Sequence, residues 1–268
     1  MKVKVDMHVH PNLPKSDERA IAKAGEWWAV LKKKGIMCII SAEHCYSNPK
    51  RNFWIMEKTA PKGFIVLPGV EAISKEGVDI VAFYKDSSIY REKKLLLPYS
   101  MKTDVIVGYL NKRGYAYYIS HPFTLGTTSI IKNLGEEKAL RIMNKAKSVE
   151  IHNTAFSGAA RFLEKTGLSI VFRNKYQKMV NVENLPEEYW KNIKFISGGS
   201  DAHKPSDLGS CMTLETKSMS PAELYRAIVS NKKDRFFANN RFLISNIITS
   251  LINSACEWLT KKKYKLLH

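Results

Sequence analysis

Short apolar runs alternate along this chain with longer stretches whose apolar residues recur at helical spacing. Val3-Lys4-Val5-Asp6-Met7 alternates apolar with polar, which predicts a strand with one face buried. Ser16 to Lys34 predicts a helix. Ala20, Ala24, Trp27, Trp28 and Leu31 keep the helical period, Ser16 can cap its start, and Gly35 stops it. Ile36-Met37-Cys38-Ile39-Ile40, Phe64-Ile65-Val66-Leu67 and Val78 to Tyr84 predict further strands. Residues 101–113 read as a helix feeding the strand Tyr115 to Ile119, and 136–147 as a helix feeding Ser148-Val149-Glu150-Ile151. Phe195-Ile196-Ser197 then leads into Gly198-Gly199. Such alternation predicts a parallel α/β architecture.

Two stretches depart from the rhythm. Residues 167–193 are polar and irregular after Arg173, which predicts an insertion or excursion. From residue 240 the character changes again. Ile244, Ile247, Ile248, Leu251, Ile252, Ala255 and Leu259 form one stripe, with Ser245, Asn246, Thr249 and Glu257 opposite and Lys261-Lys262-Lys263 following. This predicts a C-terminal amphipathic helix with a basic tail over 240–268, behind a main unit of 1–239. The helix can dock on the main unit, on another subunit or on an anionic membrane surface.

The polar residues at the predicted strand ends carry the chemistry. Six of the seven histidines sit in short motifs that also hold a carboxylate or follow a strand: Asp6-Met7-His8-Val9-His10, Glu43-His44, Ser120-His121-Pro122, Glu150-Ile151-His152 and Gly199-Ser200-Asp201-Ala202-His203. Pro68-Gly69-Val70-Glu71 adds a carboxylate at another strand end. Imidazole with carboxylate is a ligand set that suits zinc, manganese and iron. In α/β barrels the site is assembled from the carboxyl ends of many strands, whereas an open sheet concentrates it at one switch point. A barrel, or a distorted one, is therefore expected. His8 and His10, two apart on a strand, face one side; Asp6 lies on the same face and could orient a ring.

Composition narrows the function classes. The chain has 268 residues, 44% of them hydrophobic, enough for a buried core, and a formal charge of +18. That field favours phosphate esters, nucleic acid or an acidic membrane, unless the charge merely solvates the surface. The four cysteines form no C-x-x-C pair and suggest no disulfide framework. No run has the length of a membrane span or of a signal-peptide core, so a cytoplasmic location is expected.

The motif order over most of residues 1–215 resembles the PHP family, named for polymerase and histidinol phosphatase. The family's opening H-x-H is matched by His8 and His10, its next ligand by Asp17, its Asp-His by Glu43-His44 and its Pro-Gly-x-Glu by Pro68–Glu71. Its Ser-His-Pro is matched by Ser120–Pro122, and its Gly-Ser-Asp-x-His by Gly199–His203. The tail from Asn240 looks, more loosely, like a PHP-associated extension. The resemblance implies a distorted (β/α)7 barrel holding two or three divalent metals, zinc, manganese or iron. One would take His8, His10, Glu71 and Asp201; a second Asp17, His44 and His203; a third would share Glu71 with His121. The family has a further histidine after the Glu71 motif, where this chain offers Val78 or Asp79.

The expected reaction is hydrolysis of a phosphate ester by a metal-activated water. His121 or His152 is the candidate proton donor to the leaving oxygen. Arg161, Arg173 and Lys204 are candidate phosphate contacts. The charge tilts the substrate toward nucleotide or nucleic-acid phosphate. The alternatives are a small-molecule phosphomonoesterase of histidinol-phosphatase type, a non-catalytic nucleic-acid-binding scaffold, and hydrolysis at carbon.

Overall fold

The computed structural model describes residues 1–123, 128–153, 192–231 and 236–238. The expected C-terminal helix and residues 167–191 of the expected insertion lie outside them, as do Arg161 and Arg173. In chain order the described elements are β1 (Lys2–Val9), α1 (Asp17–Lys34), β2 (Ile36–Ser41), α2 (Pro49–Thr59), β3 (Ile65–Ile73) and β4 (Asp79–Phe83). Then come α3 (Thr103–Arg113), β5 (Ala116–Ile119), α4 (Ile130–Leu134), α5 (Glu136–Met143), β6 (Glu150–Asn153), β7 (Ser197–Gly199), β8 (Ser210–Glu215), α6 (Pro221–Ser230) and β9 (Phe236–Ala238).

Local chemistry sets these limits. Ser16 accepts from the Arg19 N–H at the start of α1, Asp17 and Glu18 occupy its first turn, and Lys32 to Lys34 its last. Gly35 follows at φ 67° and closes the helix with its N–H on Leu31 and Lys32 carbonyls. Trp27 donates from α1 to the Pro11 carbonyl at 3.0 Å, pinning the segment directly after His10. Helix α2 was not anticipated. Asn48 caps it from a left-handed backbone and Pro49 occupies its first turn.

A seven-stranded sheet runs β5-β4-β3-β2-β1-β8-β9, and β6 pairs with β7 beside it. Single bridges tie this pair to the large sheet, Ile119 with Val149 and Val9 with Ala202. The result is a mixed α/β fold with a curled, half-barrel sheet. The expected parallel architecture needs correction. Parallel pairing among the described residues is confined to β1–β2, β2–β3, β6–β7 and isolated bridges. Strands β3 and β4 are antiparallel because only residues 74–78 join them, a turn closed by Ser74 N–H to the Val78 carbonyl at 2.9 Å. A link that short cannot hold a crossover helix. Strand β5 is antiparallel to β4, and β8 to β1.

The sheet buries both faces. Val3, Val5, Met7, Cys38, Ile40, Leu67, Val81, Phe83 and Tyr118 form one apolar cluster. Ile39, Val66, Ile80, Ala82, Tyr117 and Ile119 pack in another with Trp27, Leu31, Phe53 and Met56 from the helices. On β4 and β5 the alternation is strict, as period two requires.

Candidate metal centre

Most of the predicted strand ends deliver a side chain to one place. Strand β1 ends at His8 and His10, and His10 N–H donates to the Ala202 carbonyl at 2.8 Å. Pairing of β2 with β3 continues beyond the regular ladder. Glu71 N–H reaches the Glu43 carbonyl and Cys45 N–H the Glu71 carbonyl, both at 2.9 Å, which sets His44 opposite Glu71. Asp79 opens β4, and Ser120 N–H donates to its carbonyl at 3.2 Å, placing His121 close by. His121 and Asp201 have positive φ, 28° and 54°. Such backbone costs about 1–3 kcal/mol per non-glycine residue and persists where the surroundings impose it.

Glu71 lies at the middle. Its Oε1 is 3.3 Å from His8 Nε2 and 3.5 Å from His121 Nε2; its Oε2 is 2.8 Å from His44 Nδ1 and 3.6 Å from His10 Nε2. Asp201 Oδ1 is 3.2 Å from His10 Nε2, 3.5 Å from His8 Nε2 and 3.8 Å from His203 Nδ1. Three groups have ligand atoms within 4.8 Å of one another: His10-His44-His203, His8-His10-Asp201 and Glu71-Asp79-His121.

The donor set fits divalent cations on a further count. His8 Nε2, both ring nitrogens of His10, Glu43 Oε1 and Glu71 Oε1 are buried with no hydrogen-bond partner. An unsatisfied buried polar atom costs about 1–3 kcal/mol. So many in one cluster call for something that binds lone pairs.

Other residues hold these donors in place. Glu150 Oε1 takes the His8 Nδ1 contact at 2.8 Å, while its Oε2 accepts from the His121 main-chain N–H at 2.7 Å and from Asn153 Nδ2 at 3.0 Å. A carboxylate on the far ring nitrogen fixes the tautomer of a metal-ligating histidine. Sequence reasoning gave that task to Asp6, and the structure corrects it. Asp6 instead accepts from the main-chain N–H groups of His8 at 3.1 Å and Ser200 at 3.0 Å, and from the Ser200 hydroxyl. It ties β1 to the Gly199-Ser200 turn, which packs so closely that a Cβ on Gly199 would stand 2.4 Å from His8 N. Glu43 accepts from Asn12 N–H and Asn52 Nδ2, leaving Oε1 4.0 Å from His10 Nδ1.

The charges are arranged to match. Burial would raise Glu71 and Asp201, but His121, His44 and His8 hold Glu71 well below the usual carboxylate range, and His8, His10 and His203 do so for Asp201. Burial, then the neighbouring His203 and His44, lowers His10 to about 3, so its ring is neutral and its lone pair available. Burial also opposes charge on His121, yet the approach of Glu71 and the charges of Glu71, Asp201 and Asp79 lift it to about 9. A proton there occupies the Nε2 that a cation would take.

Of the residues singled out from sequence, His8, His10, His44, Glu71, His121, Asp201 and His203 converge. Asp17 does not: its side chain is 82% exposed and 2.7 Å from Arg51 Nη2. His152 is half-buried on β6 and belongs to none of the three groups. Lys204 is half-buried with Nζ 3.8 Å from Asp207. Asp79, one of the two residues this chain offers where the PHP family has a histidine, joins the cluster, and Glu150 is the contributor whose role the sequence concealed. Its partner His8 lies 142 residues away.

A family model described as PHP-associated matches residues 191–232, which include the Gly199–His203 motif and α6. The match lies ahead of Asn240, where the extension was expected. No curated protein matches the chain in sequence. Among solved structures, PsfC from Pseudomonas syringae PB-5123 is similar at TM-score 0.58 and 15% identity, over 99% of this chain and 98% of that one. Endonuclease Q, in complex with a 27-mer duplex carrying an abasic lesion at its active site, is similar at TM-score 0.56 and 17% identity. That likeness covers 88% of this chain and 58% of the endonuclease. The lesion-specific endonuclease Q of Pyrococcus furiosus is similar at TM-score 0.49 and 15% identity, over 88% of this chain and 58% of that one. Identities this low mark a likeness of fold. The PHP-associated segment accords with the resemblance to PHP proteins carried by the motifs.

Proposed function

We propose that this chain is an enzyme of the PHP type, a metal-dependent phosphoesterase, and that its substrate is a nucleotide or nucleic-acid phosphate. The observation that carries the reading is the convergence of five histidines with Asp79 and Asp201 around Glu71, where buried ring nitrogens and carboxylate oxygens have no hydrogen-bond partner among the described residues. Bound divalent cations would lower the pKa of water toward neutrality and neutralise charge on a phosphoryl group. His8, His10, Glu71 and Asp201 are the residues for one cation, and His44 with His203 for a second. Glu71, His121 and Asp79 are those for a third. Asp17, turned to Arg51, is left out of this set. Glu150 keeps the His8 ring aimed inward. His152, on β6 outside the three groups, is the proposed proton donor to the leaving oxygen, and Lys204 is the one proposed phosphate contact among the described residues. We further propose that the curled sheet belongs to a distorted (β/α)7 barrel within a 1–239 unit, with a separate helix over 240–268.

The lean to nucleic acid rests on the +18 charge and on the fold shared with endonuclease Q, which was solved on duplex DNA. Among the described residues no helix is long and apolar enough to cross a membrane. We infer a reducing, cytoplasmic setting, which buried Cys38 as a free thiol supports.

The test is an assay of purified protein, loaded with manganese or zinc, on a phosphomonoester, a bis-aryl phosphodiester and short DNA and RNA. Turnover on a diester or nucleic acid is expected, and its loss in His8→Ala and Asp201→Asn with circular dichroism unchanged. Turnover of the monoester alone would shift the reading to a phosphomonoesterase. Inertness toward every substrate would leave a non-catalytic scaffold.

A further inference from the structure

The cluster is not uniform in its donors. His10-His44-His203 is imidazole alone, and His8-His10-Asp201 is two imidazoles to one carboxylate. Glu71-Asp79-His121 reverses the balance, with two carboxylates to one imidazole. That corner is also closed. Glu71 and Asp79 are each 2% exposed and His121 8%. Glu71 Oε1, buried and without a hydrogen-bond partner, is aimed into it. The His121 ring has one nitrogen to offer. Its Nδ1 lies 3.2 Å from Thr128 Oγ1, while its Nε2 faces Glu71 Oε1 at 3.5 Å and Asp79 Oδ2 at 3.8 Å. Its backbone is fixed from behind by Glu150.

Imidazole suits zinc and iron, whereas carboxylate suits magnesium and manganese. Zinc binds most N/O sites more tightly than manganese does, so the useful quantity is how far each position prefers it. That preference shrinks as oxygen replaces nitrogen. We propose that Glu71, Asp79 and His121 form a hard-cation position, the one where manganese displaces zinc, beside imidazole-rich positions that retain zinc. Asp79 sets this selectivity. The inference rests on reading the cluster as a cation site, and it stands or falls independently of hydrolysis.

The experiment is metal exchange on the full chain. Protein saturated with zinc is dialysed against excess manganese, and both metals are counted by mass spectrometry. About one zinc per chain should exchange for manganese and about two should stay, the position richest in carboxylate giving way first. In Asp79→His the exchange should fall at least tenfold, because an imidazole replaces the oxygen donor. Asp79→Ala should lose manganese while keeping the two retained zinc ions. A readout that needs no variant is pulsed electron paramagnetic resonance of the manganese-exchanged protein, where coupling to a single imidazole nitrogen is expected. Uniform exchange of all the zinc, exchange indifferent to Asp79, or coupling to two or more imidazoles would each overturn the proposal. Zinc–manganese exchange in a protein inert toward every phosphate ester would refute the phosphoesterase reading and leave this one standing.

Discussion

At the scale of single residues, the site is a set of imidazoles aimed by carboxylates, and Glu150 does most of the aiming. It contacts the His8 ring and holds the His121 backbone, so both histidines depend on one side chain. Glu150→Gln preserves shape but removes the charge that fixes the His8 tautomer. Metal affinity is expected to fall about 10–100-fold, measured by competition with a chromophoric chelator. Unchanged affinity would detach Glu150 from the site. The donors themselves were legible in the sequence because each follows a strand and belongs to a short motif. The supports were not. Asp6 and Glu150 are both carboxylates two residues from a histidine in the sequence, and only the fold decides that Glu150 meets the His8 ring while Asp6 binds main-chain N–H groups. Asp17 misled for a related reason: a first-turn acid is also what a helix N-terminus favours, and here it is exposed and paired with Arg51.

At the scale of elements, β1 to β7 were legible, β8 and β9 were not anticipated, and the pairing direction was hidden throughout. Hydrophobic period reports which face is buried and is silent on the neighbour's direction; the short 74–78 turn decides that for β3 and β4. Helix α2 went unread because its apolar residues Phe53 to Met56 run together instead of recurring at helical spacing, although Asn48-Pro49 was a start signal in plain view. The close approach of the Gly199 turn to β1 yields a prediction. Gly199→Ala should destabilise the fold by about 1–3 kcal/mol, since the new methyl meets main chain that cannot move aside, read as a shift in urea midpoint. A midpoint unchanged by the methyl would show that the turn and strand can part. A second tie lies away from the site. Buried Glu92 accepts from Tyr115 at 2.8 Å, from Arg113 at 3.1 Å and from Tyr109, linking the segment after β4 to α3 and the residue before β5. Burial would raise its pKa, but these three donors lower it below the ordinary glutamate value. A carboxylate depressed in the folded state adds stability above its unfolded pKa and loses it as pH falls through the folded one. Glu92→Gln should therefore flatten the acid limb of the stability curve below about pH 4.5 relative to wild type. Parallel curves for the two proteins would contradict the tie.

At the scale of the whole molecule, the +18 charge is read as an attractor for a polyanion. Affinity for a short single-stranded DNA should then fall steeply with salt, with log affinity linear in log salt at about −0.7 for each phosphate neutralised. A flat dependence would assign the charge to surface solvation and favour a small phosphomonoester. The central claim concerns the cluster, and metal content tests it most directly: protein purified without chelators, wild type beside His10→Ala, counted by inductively coupled plasma mass spectrometry. His10 belongs to two of the three ligand groups, so its removal should cost at least one metal from a wild-type content of about two or more per chain. One equivalent or less in the wild type, or a content that His10→Ala leaves unchanged, would contradict the account.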